Sequence, residues 1–429
     1  MARLPDAQFA PDCTVTVDGH PVPARAGESV ASALVAAGRP LVARSYKYHR
    51  PRGPFCLSGT CGSCLVRVDG LPNRRACRTP CRDGLRVETQ NAWPRAGLDV
   101  FGAIDLLAPG GIDVHHLLTR PAVANRAMVA ISRRMAGLGR LPDGPGPAAA
   151  APERIEVEAL VLGAGPAGLG AAEALAGAGR RVLLVERDAR TGGRIRARLG
   201  LPGDPSLEWC ARVEGAVAAA GGELATRTTA VGLWTDGGAP LCLLVPEDGG
   251  PARLVSSPRI VVCTGGVVQP PLFAGSDAPG VFSGRALALA LAEHGVVPGT
   301  RAAVLGEGAE AGAVADRLRG AGMEVERVAG EVEGALGRRR IRGLRLAGGR
   351  TLACDTVVAA AVPSPAADLL RAVGVPVEWD ASLGAFAPRV APDGTTPVTG
   401  VWAAGEVAVP VPSEAAAAWG RRAGEACRG

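Results

Sequence analysis

Four cysteines near the start of the sequence have the spacing of an iron–sulfur site. Cys56, Cys61 and Cys64 are followed by Cys77, which gives the pattern C-x4-C-x2-C-x12-C. Four thiolates spaced in this way are typical of plant-type [2Fe–2S] ligation, here with a shorter final gap. Glycines within the first loop let the backbone bend and point amide N–H groups at the sulfur atoms. We therefore predict a [2Fe–2S] cluster on these four cysteines.

Zinc is the main alternative for the same cysteines. Zinc sites usually combine two short cysteine pairs, and only Cys77 and Cys81 could form the second pair here. The spacing favours [2Fe–2S] and leaves Cys81 as a spare. The scattered cysteines are predicted to be small core residues: Cys13, Cys210, Cys242, Cys263, Cys354 and Cys427. The first residues show no secretory signal, and the cysteines are clustered as metal ligands are. Together these features indicate a protein of the reducing cytoplasm.

A glycine-rich loop follows an apolar run at residues 157–162. Gly163 permits a tight turn, Gly165 lets the backbone approach a pyrophosphate, and Gly168 lets the next helix pack on the strand. The pyrophosphate would then lie at the helix N-terminus. Glu186 stands 23 residues beyond Gly163, where a carboxylate can accept hydrogen bonds from ribose hydroxyls. Strand, helix and carboxylate together predict a dinucleotide site.

Three later segments support this dinucleotide site. Residues 191–194 read T-G-G-R, residues 261–266 form an apolar strand ending in T-G-G, and residues 401–406 form an apolar strand ending in G-E. Their order along the chain makes ordinary turns a poor explanation. The other predicted cofactor contacts are Pro166, Ala167, Arg187, Gly193, Arg194, Thr264, Gly265, Gly405 and Glu406.

A second β-α-β unit begins near residue 302 and carries a looser glycine pattern. Gly306, Gly308 and Gly312 follow its first strand, and Glu326 lies 20 residues beyond Gly306. Arg327 adjoins that glutamate and could meet a 2′-phosphate. A working nicotinamide site, with Gly306 and Gly308 as contacts, and a purely structural Rossmann unit both remain open.

The elements that must position these residues fall into separate domains. A hairpin around residues 15–22 and a helix at 29–37 precede the cysteines, whereas a Gly/Pro/Ala-rich linker covers residues 137–153. The predicted bounds are residues 12–92 for a ferredoxin-like domain, 93–153 for a connecting segment and linker, 154–298 with 385–429 for an FAD-binding domain, and 299–384 for a second, NAD-like nucleotide-binding domain.

Composition narrows the functions that the chain could have. The 429 residues are 47% hydrophobic with a net charge of +6, and only 3% are aromatic, so a stacking surface for nucleic acid is not expected. The sequence contains no uninterrupted run of 18 apolar residues, so an integral membrane segment is not predicted. The flavoprotein half contains no C-x2-C or C-x4-C pair, which disfavours a disulfide relay.

Residues 44–53, which read RSYKYHRPRG, provide the most specific family resemblance. Together with N-A-W-P at residues 91–94 and G-L-G at 137–139, they resemble the alpha subunit of heterotetrameric sarcosine oxidase. Hydrogen cyanide synthase, opine oxidase and D-hydroxyproline dehydrogenase subunits are related to it. The presence of the cluster cysteines makes the chain resemble a fusion of the small and large subunits of such complexes.

This resemblance implies an α/β chain with an N-terminal β-grasp ferredoxin-like domain followed by a nested, two-dinucleotide-binding flavoprotein module. It implies an electron-transfer role beside a partner subunit, amino-acid oxidase-like and carrying its own FAD, that oxidises an amino acid or secondary amine. The expected cofactors are a [2Fe–2S] cluster and FAD, with NAD(P), or FMN at a subunit interface, as further candidates. The alternatives are a self-contained NAD(P)H–acceptor reductase and a redox-silent nucleotide-binding scaffold.

Two departures from the family pattern qualify these expectations. The family's flavin motif usually ends in Gly-Asp, whereas Glu406 takes the place of that aspartate here. The sequence also ends at Gly429, before the folate-binding half of sarcosine oxidase alpha subunits, so the resemblance does not imply folate chemistry.

Overall fold

The computed structural model describes residues 2–46, 48–103, 120–135, 150–199, 205–235, 237–247 and 249–428. These residues form two compact units, Met1–Gly146 with Pro270–Ala361 and Pro147–Gln269 with Val362–Gly429. The predicted linker at 137–153 lies outside the described residues up to residue 149, as does the G-L-G match. Within the described ranges, no helix has the length and apolarity needed to cross a membrane.

The helices and strands are numbered here in chain order. The helices are α1 (Val30–Ala36), α2 (Ala122–Met135), α3 (Pro166–Gly177), α4 (Arg194–Leu199), α5 (Pro205–Ala219), α6 (Gly284–His294), α7 (Gly308–Gly320), α8 (Asp368–Ala372) and α9 (Ser413–Ala426). The strands are β1 (Ala2–Arg3), β2 (Cys13–Val17), β3 (His20–Ala24), β4 (Ala43–Arg44), β5 (Pro51–Arg52), β6 (Leu65–Val68), β7 (Leu71–Arg75), β8 (Arg86–Thr89), β9 (Pro94–Arg95), β10 (Leu98–Asp99), β11 (Glu153–Glu156), β12 (Ala159–Leu162), β13 (Val182–Val185), β14 (Glu223–Ala225), β15 (Thr228–Trp234), β16 (Leu241–Pro246), β17 (Arg253–Ser256), β18 (Ile260–Val262), β19 (Gly266–Val267), β20 (Val281–Ser283), β21 (Val296–Val297), β22 (Arg301–Leu305), β23 (Glu324–Val328), β24 (Val332–Leu336), β25 (Gly343–Leu346), β26 (Thr351–Leu352), β27 (Thr356–Ala359), β28 (Ser364–Pro365), β29 (Val377–Asp380), β30 (Ala385–Pro388) and β31 (Val401–Ala403).

The N-terminal part of the first unit is a five-stranded sheet that packs against α1. Strands lie in the order β3-β2-β8-β6-β7, with β2 parallel to β8 and antiparallel hairpins on both sides. Helix α1 begins after Ser29, whose hydroxyl accepts a hydrogen bond from the Ser32 amide, and all of its residues are buried. This is the expected β-grasp, because the alternating apolar residues of β2 face α1 across the sheet.

The first unit also contains a parallel sheet in the order β20-β27-β22-β23, flanked by α6 and α7, and a three-stranded antiparallel sheet, β24-β25-β26. The N-terminal domain attaches to the parallel sheet through several contacts. Strand β1 pairs with β21, and Arg3 bonds both the His294 carbonyl and the Glu28 carboxylate. Val35 and Ala36 of α1 share a hydrophobic cluster with α6 and α7. The ferredoxin-like domain and this sheet therefore form one body.

The second unit contains the first dinucleotide motif in a parallel sheet of order β14-β13-β12-β18-β31. Strands β12, β13 and β18 are buried along their whole length, which explains their continuous apolar runs. Helix α3 packs on α9 through small residues, since a Cβ on Gly420 would lie 1.8 Å from the Ala167 carbonyl oxygen. The same unit contains a second sheet, in the order β11-β17-β16-β15, and two two-stranded sheets, β19-β28 and β29-β30. The nested Rossmann-like fold predicted from the sequence is confirmed.

Candidate functional site

The four predicted cluster ligands meet on two segments of the N-terminal domain. Cys56, Cys61 and Cys64 lie on the loop before β6, and Cys77 lies in a 3-10 turn directly after β7. Because β6 and β7 form an antiparallel hairpin, Cys64 and Cys77 flank its open end. Three of the side chains are buried, and the loop around Cys61 reaches the surface.

The four sulfur atoms are linked in a row of contacts. Cys56 contacts both Cys61 and Cys77, and Cys77 also contacts Cys64. Hydrogen bonds from Cys61 and Cys77 hold the pKa of the Cys56 thiol far below its usual value. In the described ranges, no group of three or more His, Cys, Asp or Glu side chains is arranged to hold a single metal ion.

Backbone amides surround these sulfur atoms. The Ser58 and Cys61 amides donate to Cys56 Sγ over 3.4 and 3.5 Å. The Cys77 amide contacts Cys64 Sγ, and the Ala76 amide donates to the Cys64 carbonyl over 2.9 Å. The loop bends sharply to achieve this, with φ values of +84° at Gly59 and +67° at Gly62. Four thiols and several N–H donors in one pocket are the donor set that a [2Fe–2S] cluster requires.

Cys81 lies apart from this sulfur row. It is buried beside Glu28 and Cys13, and burial raises the pKa of its thiol. Its backbone N–H donates to the Glu28 carbonyl, which fixes it in the turn after Cys77. The geometry therefore assigns Cys81 a packing role.

The first glycine loop adopts the geometry that a dinucleotide needs. Gly163 has φ of +99°, and a Cβ there would lie 2.4 Å from the Cys263 carbonyl oxygen. A Cβ on Gly168 would lie 1.7 Å from the Gly163 carbonyl oxygen, so this pair fixes how closely α3 approaches β12. Gly165, in contrast, precedes α3 as its N-cap and has no atom within 4 Å of its Cβ position. The open space beside Gly165 is where a pyrophosphate would lie.

Glu186 lies at the end of β13, directly beside this loop. Its two carboxylate oxygens accept hydrogen bonds from the Ala164 and Asp188 amides, each over 2.8 Å. Burial raises the pKa of this carboxyl despite those hydrogen bonds. Each oxygen keeps a further lone pair for a ribose hydroxyl. Arg187 follows at the rim, with Nε 3.9 Å from Asp188 Oδ1.

The T-G-G-R segment folds back onto the glycine loop. The Gly192 amide donates to the Ala164 carbonyl over 2.7 Å, and a Cβ on Gly193 would lie 3.1 Å from Gly165 Cα. Arg194, at the start of α4, forms an ion pair with Glu406 and also donates to the Val411 carbonyl. This ion pair joins two predicted cofactor contacts that lie 212 residues apart.

The remaining predicted contacts of this site lie along the same sheet edge. Pro166 and Ala167 open α3, and a Cβ on Gly405 would lie 2.7 Å from Ala167 Cβ. Thr264 donates its hydroxyl to the Ala366 carbonyl over 2.9 Å, and the adjacent Gly265 has open space at its Cβ position. The carboxyl ends of neighbouring parallel strands thus meet around one loop, as in dinucleotide-binding folds.

The second glycine loop offers a poorer anion site. Gly306 is required by packing, since a Cβ there would lie 2.4 Å from the Ala360 carbonyl oxygen. Glu307 is the N-cap of α7, and Glu310 in its first turn forms a bidentate ion pair with Arg285. Two carboxylates thus lie at the N-terminus of α7, where they would repel the negatively charged pyrophosphate. Gly308 opens the helix with free space at its Cβ position.

Residues 44–53 and 91–94, which carry the family resemblance, contact each other beside the ferredoxin-like sheet. His49 is buried and places Nδ1 2.8 Å from the Asp99 carboxylate, which also accepts from the Trp93 amide. Asn91 donates to the Arg44 carbonyl, and the Arg44 guanidinium donates to the His49 carbonyl. These contacts show that residues 44–53 and 91–94 are held together in one local structure.

Sequence reasoning missed two arginines at the cluster loop. A Cβ on Gly59 would lie 2.9 Å from Arg78 Cγ and 3.9 Å from Arg75 Cδ, so both aliphatic stems cover this loop. The signal was present as three arginines within three residues of Cys77.

Family models match two parts of the chain. Residues 10–92 match the 2Fe-2S iron-sulfur cluster binding domain, and residues 161–213 match the NAD(P)-binding Rossmann-like domain. These two regions hold the cysteine row and the first glycine loop.

Individual proteins also resemble the chain. The sarcosine oxidase alpha subunit of Rhizobium meliloti is 31% identical over 330 residues, which cover 72% of this chain and 33% of that protein. Hydrogen cyanide synthase subunit HcnA of Pseudomonas aeruginosa is 46% identical over 80 residues, which cover 19% of this chain and 76% of HcnA. The chain thus spans about a third of that sarcosine oxidase protein and most of HcnA.

Among solved structures, L-proline dehydrogenase from P. horikoshii has the same fold over nearly the whole chain. The TM-score is 0.77 at 21% identity, covering 99% of this chain and 74% of that one.

Proposed function

Since the chain belongs to the family of the sarcosine oxidase alpha subunit, with hydrogen cyanide synthase and opine oxidase subunits among its relatives, we propose that it is an electron-transfer subunit. Its complex would be a flavin- and iron–sulfur-dependent oxidoreductase that acts on an amino acid or another secondary amine. The electrons would come from a partner subunit that carries its own FAD and oxidises the substrate.

One observation carries this proposal. The cysteine row and its amide donors stand in the same chain as an open glycine loop with a buried ribose-type carboxylate, Glu186. The four cysteines would hold a [2Fe–2S] cluster, and the glycine loop would hold FAD, with NAD as its rival. A flavin holds one or two electrons, so it can connect a two-electron oxidation to a one-electron cluster.

The second glycine loop would be structural in this scheme. Glu307 is the N-cap of α7 and Glu310 lies in its first turn, so two negatively charged residues stand at the helix end where a pyrophosphate would bind. The Glu326 carboxylate is already paired with Arg350. A self-contained NAD(P)H reductase would need a nucleotide there, so these charges favour the subunit role.

A cysteine pair provides the first experiment. Cys77→Ser removes one of the four proposed ligands, whereas Cys81→Ala removes the neighbouring buried cysteine that lies outside the row. Iron and acid-labile sulfide are measured in anaerobically prepared protein. We expect two irons and two sulfides per chain in the wild type and in Cys81→Ala, with loss of the cluster in Cys77→Ser. One equivalent of zinc without labile sulfide would refute the cluster.

The partner requires a separate experiment. The chain alone should not oxidise sarcosine, proline, hydroxyproline or an opine, since hydride transfer needs the substrate carbon within about 3–3.5 Å of a flavin in a dedicated pocket. The co-purified complex should oxidise one of them. A stable complex should bury more than about 1,000 Å² between this chain and its partner. Robust turnover by the chain alone would instead make it a complete dehydrogenase.

A further inference from the structure

The sequence around the cluster loop carries an unusual concentration of positive charge. Residues 50–82 contain seven arginines and a single acidic residue, Asp69, which gives this segment a formal charge of +6. The whole chain has a formal charge of +6, so the remainder is neutral overall. The positive charge of the protein is thus concentrated on the proposed electron-transfer domain.

Part of this charge lies at the exposed edge of the cysteine loop. Thr60 and Gly62 are exposed on either side of Cys61, whereas the other three cysteines are buried. The stems of Arg75 and Arg78 cover Gly59 of the same loop. An electron that leaves by the shortest path would therefore leave at an edge covered by two arginine side chains.

The nearby carboxylates pair with other arginines. Asp69 pairs with Arg82, and Glu88 lies 4.0 Å from Arg67. Arg74 and Arg75 are exposed on the edge strand β7, and among the described residues neither forms an ion pair. Exposed unpaired cations around a redox edge attract a partner of opposite charge and steer its approach.

We propose that β7 and the Cys61 loop form the docking surface for an acidic one-electron carrier protein. This proposal rests on the proposed [2Fe–2S] cluster. A carrier of the ferredoxin or flavodoxin type would place carboxylates against Arg74 and Arg75 and bring its own redox centre to the Cys61 edge. Each encounter transfers one electron, which oxidises the cluster and reduces the carrier. Two reduced carriers therefore leave for every substrate molecule that loses two electrons.

The test compares two charge reversals in the cluster-loaded full-length chain. Arg75→Glu reverses a charge at the edge, and Arg154→Glu makes the same change on β11 of the second unit, where Arg154 is exposed. The probes are an acidic plant-type ferredoxin, basic cytochrome c, and vesicles of phosphatidylglycerol with phosphatidylcholine. Association rates are measured at about 20 mM and about 500 mM salt, which differ strongly in screening.

We expect Arg75→Glu to slow ferredoxin association about tenfold at low salt and to leave it unchanged at high salt, with Arg154→Glu within about twofold of wild type. Equal ferredoxin binding by all three proteins would overturn the proposal, as would preferential binding of cytochrome c. Loss of vesicle binding alone in Arg75→Glu would assign the surface to a membrane instead.

Labile sulfide is measured in every sample, so that failure of the docking surface can be distinguished from failure of the proposed electron-transfer function. Charge-independent binding by a fully loaded protein overturns only the docking surface. Absence of labile sulfide from the wild type overturns the proposed function and the docking surface with it.

Discussion

Replacing Gly165 with serine should separate nucleotide binding from folding. The backbone at Gly165 has φ of −74° and ψ of −173°, an extended conformation that any residue adopts. No atom lies within 4 Å of the Cβ position. Serine is also a preferred N-cap residue, so the nucleotide-free protein should keep its free energy of unfolding within about 0.5 kcal/mol.

The same side chain would occupy the space of the proposed pyrophosphate. Displacing a phosphate oxygen from the α3 N-terminus loses at least one hydrogen bond to a charged group, which contributes about 1.5–3 kcal/mol. The dissociation constant of the nucleotide should therefore rise about 10- to 150-fold.

Two measurements on each protein test this expectation. Nucleotide released by heat is quantified by chromatography, and the unfolding of nucleotide-free protein is followed by calorimetry. Gly168→Ala is the contrasting variant, because its Cβ would lie 1.7 Å from the Gly163 carbonyl oxygen and should destabilise the fold by about 3 kcal/mol or more. Full nucleotide retention and an unchanged dissociation constant in Gly165→Ser would refute the placement of the pyrophosphate.

Two further predictions concern buried charges. Arg3→Ala leaves the fully buried Glu28 carboxylate without its guanidinium, so urea unfolding should show a loss of about 3–5 kcal/mol, whereas an unchanged midpoint would show that the ion pair contributes nothing. Burial raises the folded-state pKa of Glu186, so the folded protein holds that proton more tightly than the unfolded chain. Relative to Glu186→Gln, the nucleotide-free wild type should therefore lose stability as pH rises from about 4.3, the unfolded value, through the raised folded value. Thermal unfolding of both proteins between pH 4 and 8 checks this, and parallel curves would contradict it.

The secondary structure around both motifs could be predicted because local signals were strong. The helix predicted at residues 29–37 is observed at Val30–Ala36, and the apolar strands predicted around the first dinucleotide site overlap β12, β18 and β31. Continuous apolar runs indicated the buried parallel strands, since each of them is covered on both faces. The glycines at 163, 165 and 168 could be given roles in advance because each role follows from a backbone requirement.

The remaining features depend on contacts between distant parts of the chain. The pairing of Ala2–Arg3 with Val296–Val297 joins segments almost 300 residues apart, and neither has a strong strand signal. The Arg194–Glu406 ion pair and the contact of Arg75 and Arg78 with the cysteine loop likewise arise from tertiary packing. The domain bounds and the site assignments remain predictions.

Substrate-dependent reduction of the cluster tests the electron-transfer role most directly. The co-purified complex is mixed anaerobically with sarcosine, proline, hydroxyproline or an opine, frozen within one turnover, and examined by low-temperature electron paramagnetic resonance. We expect the signal of a reduced [2Fe–2S] cluster with the true substrate in the wild type and in Cys81→Ala, and no such signal in Cys77→Ser. Rapid substrate oxidation by a fully loaded wild-type complex with no cluster signal would contradict the relay.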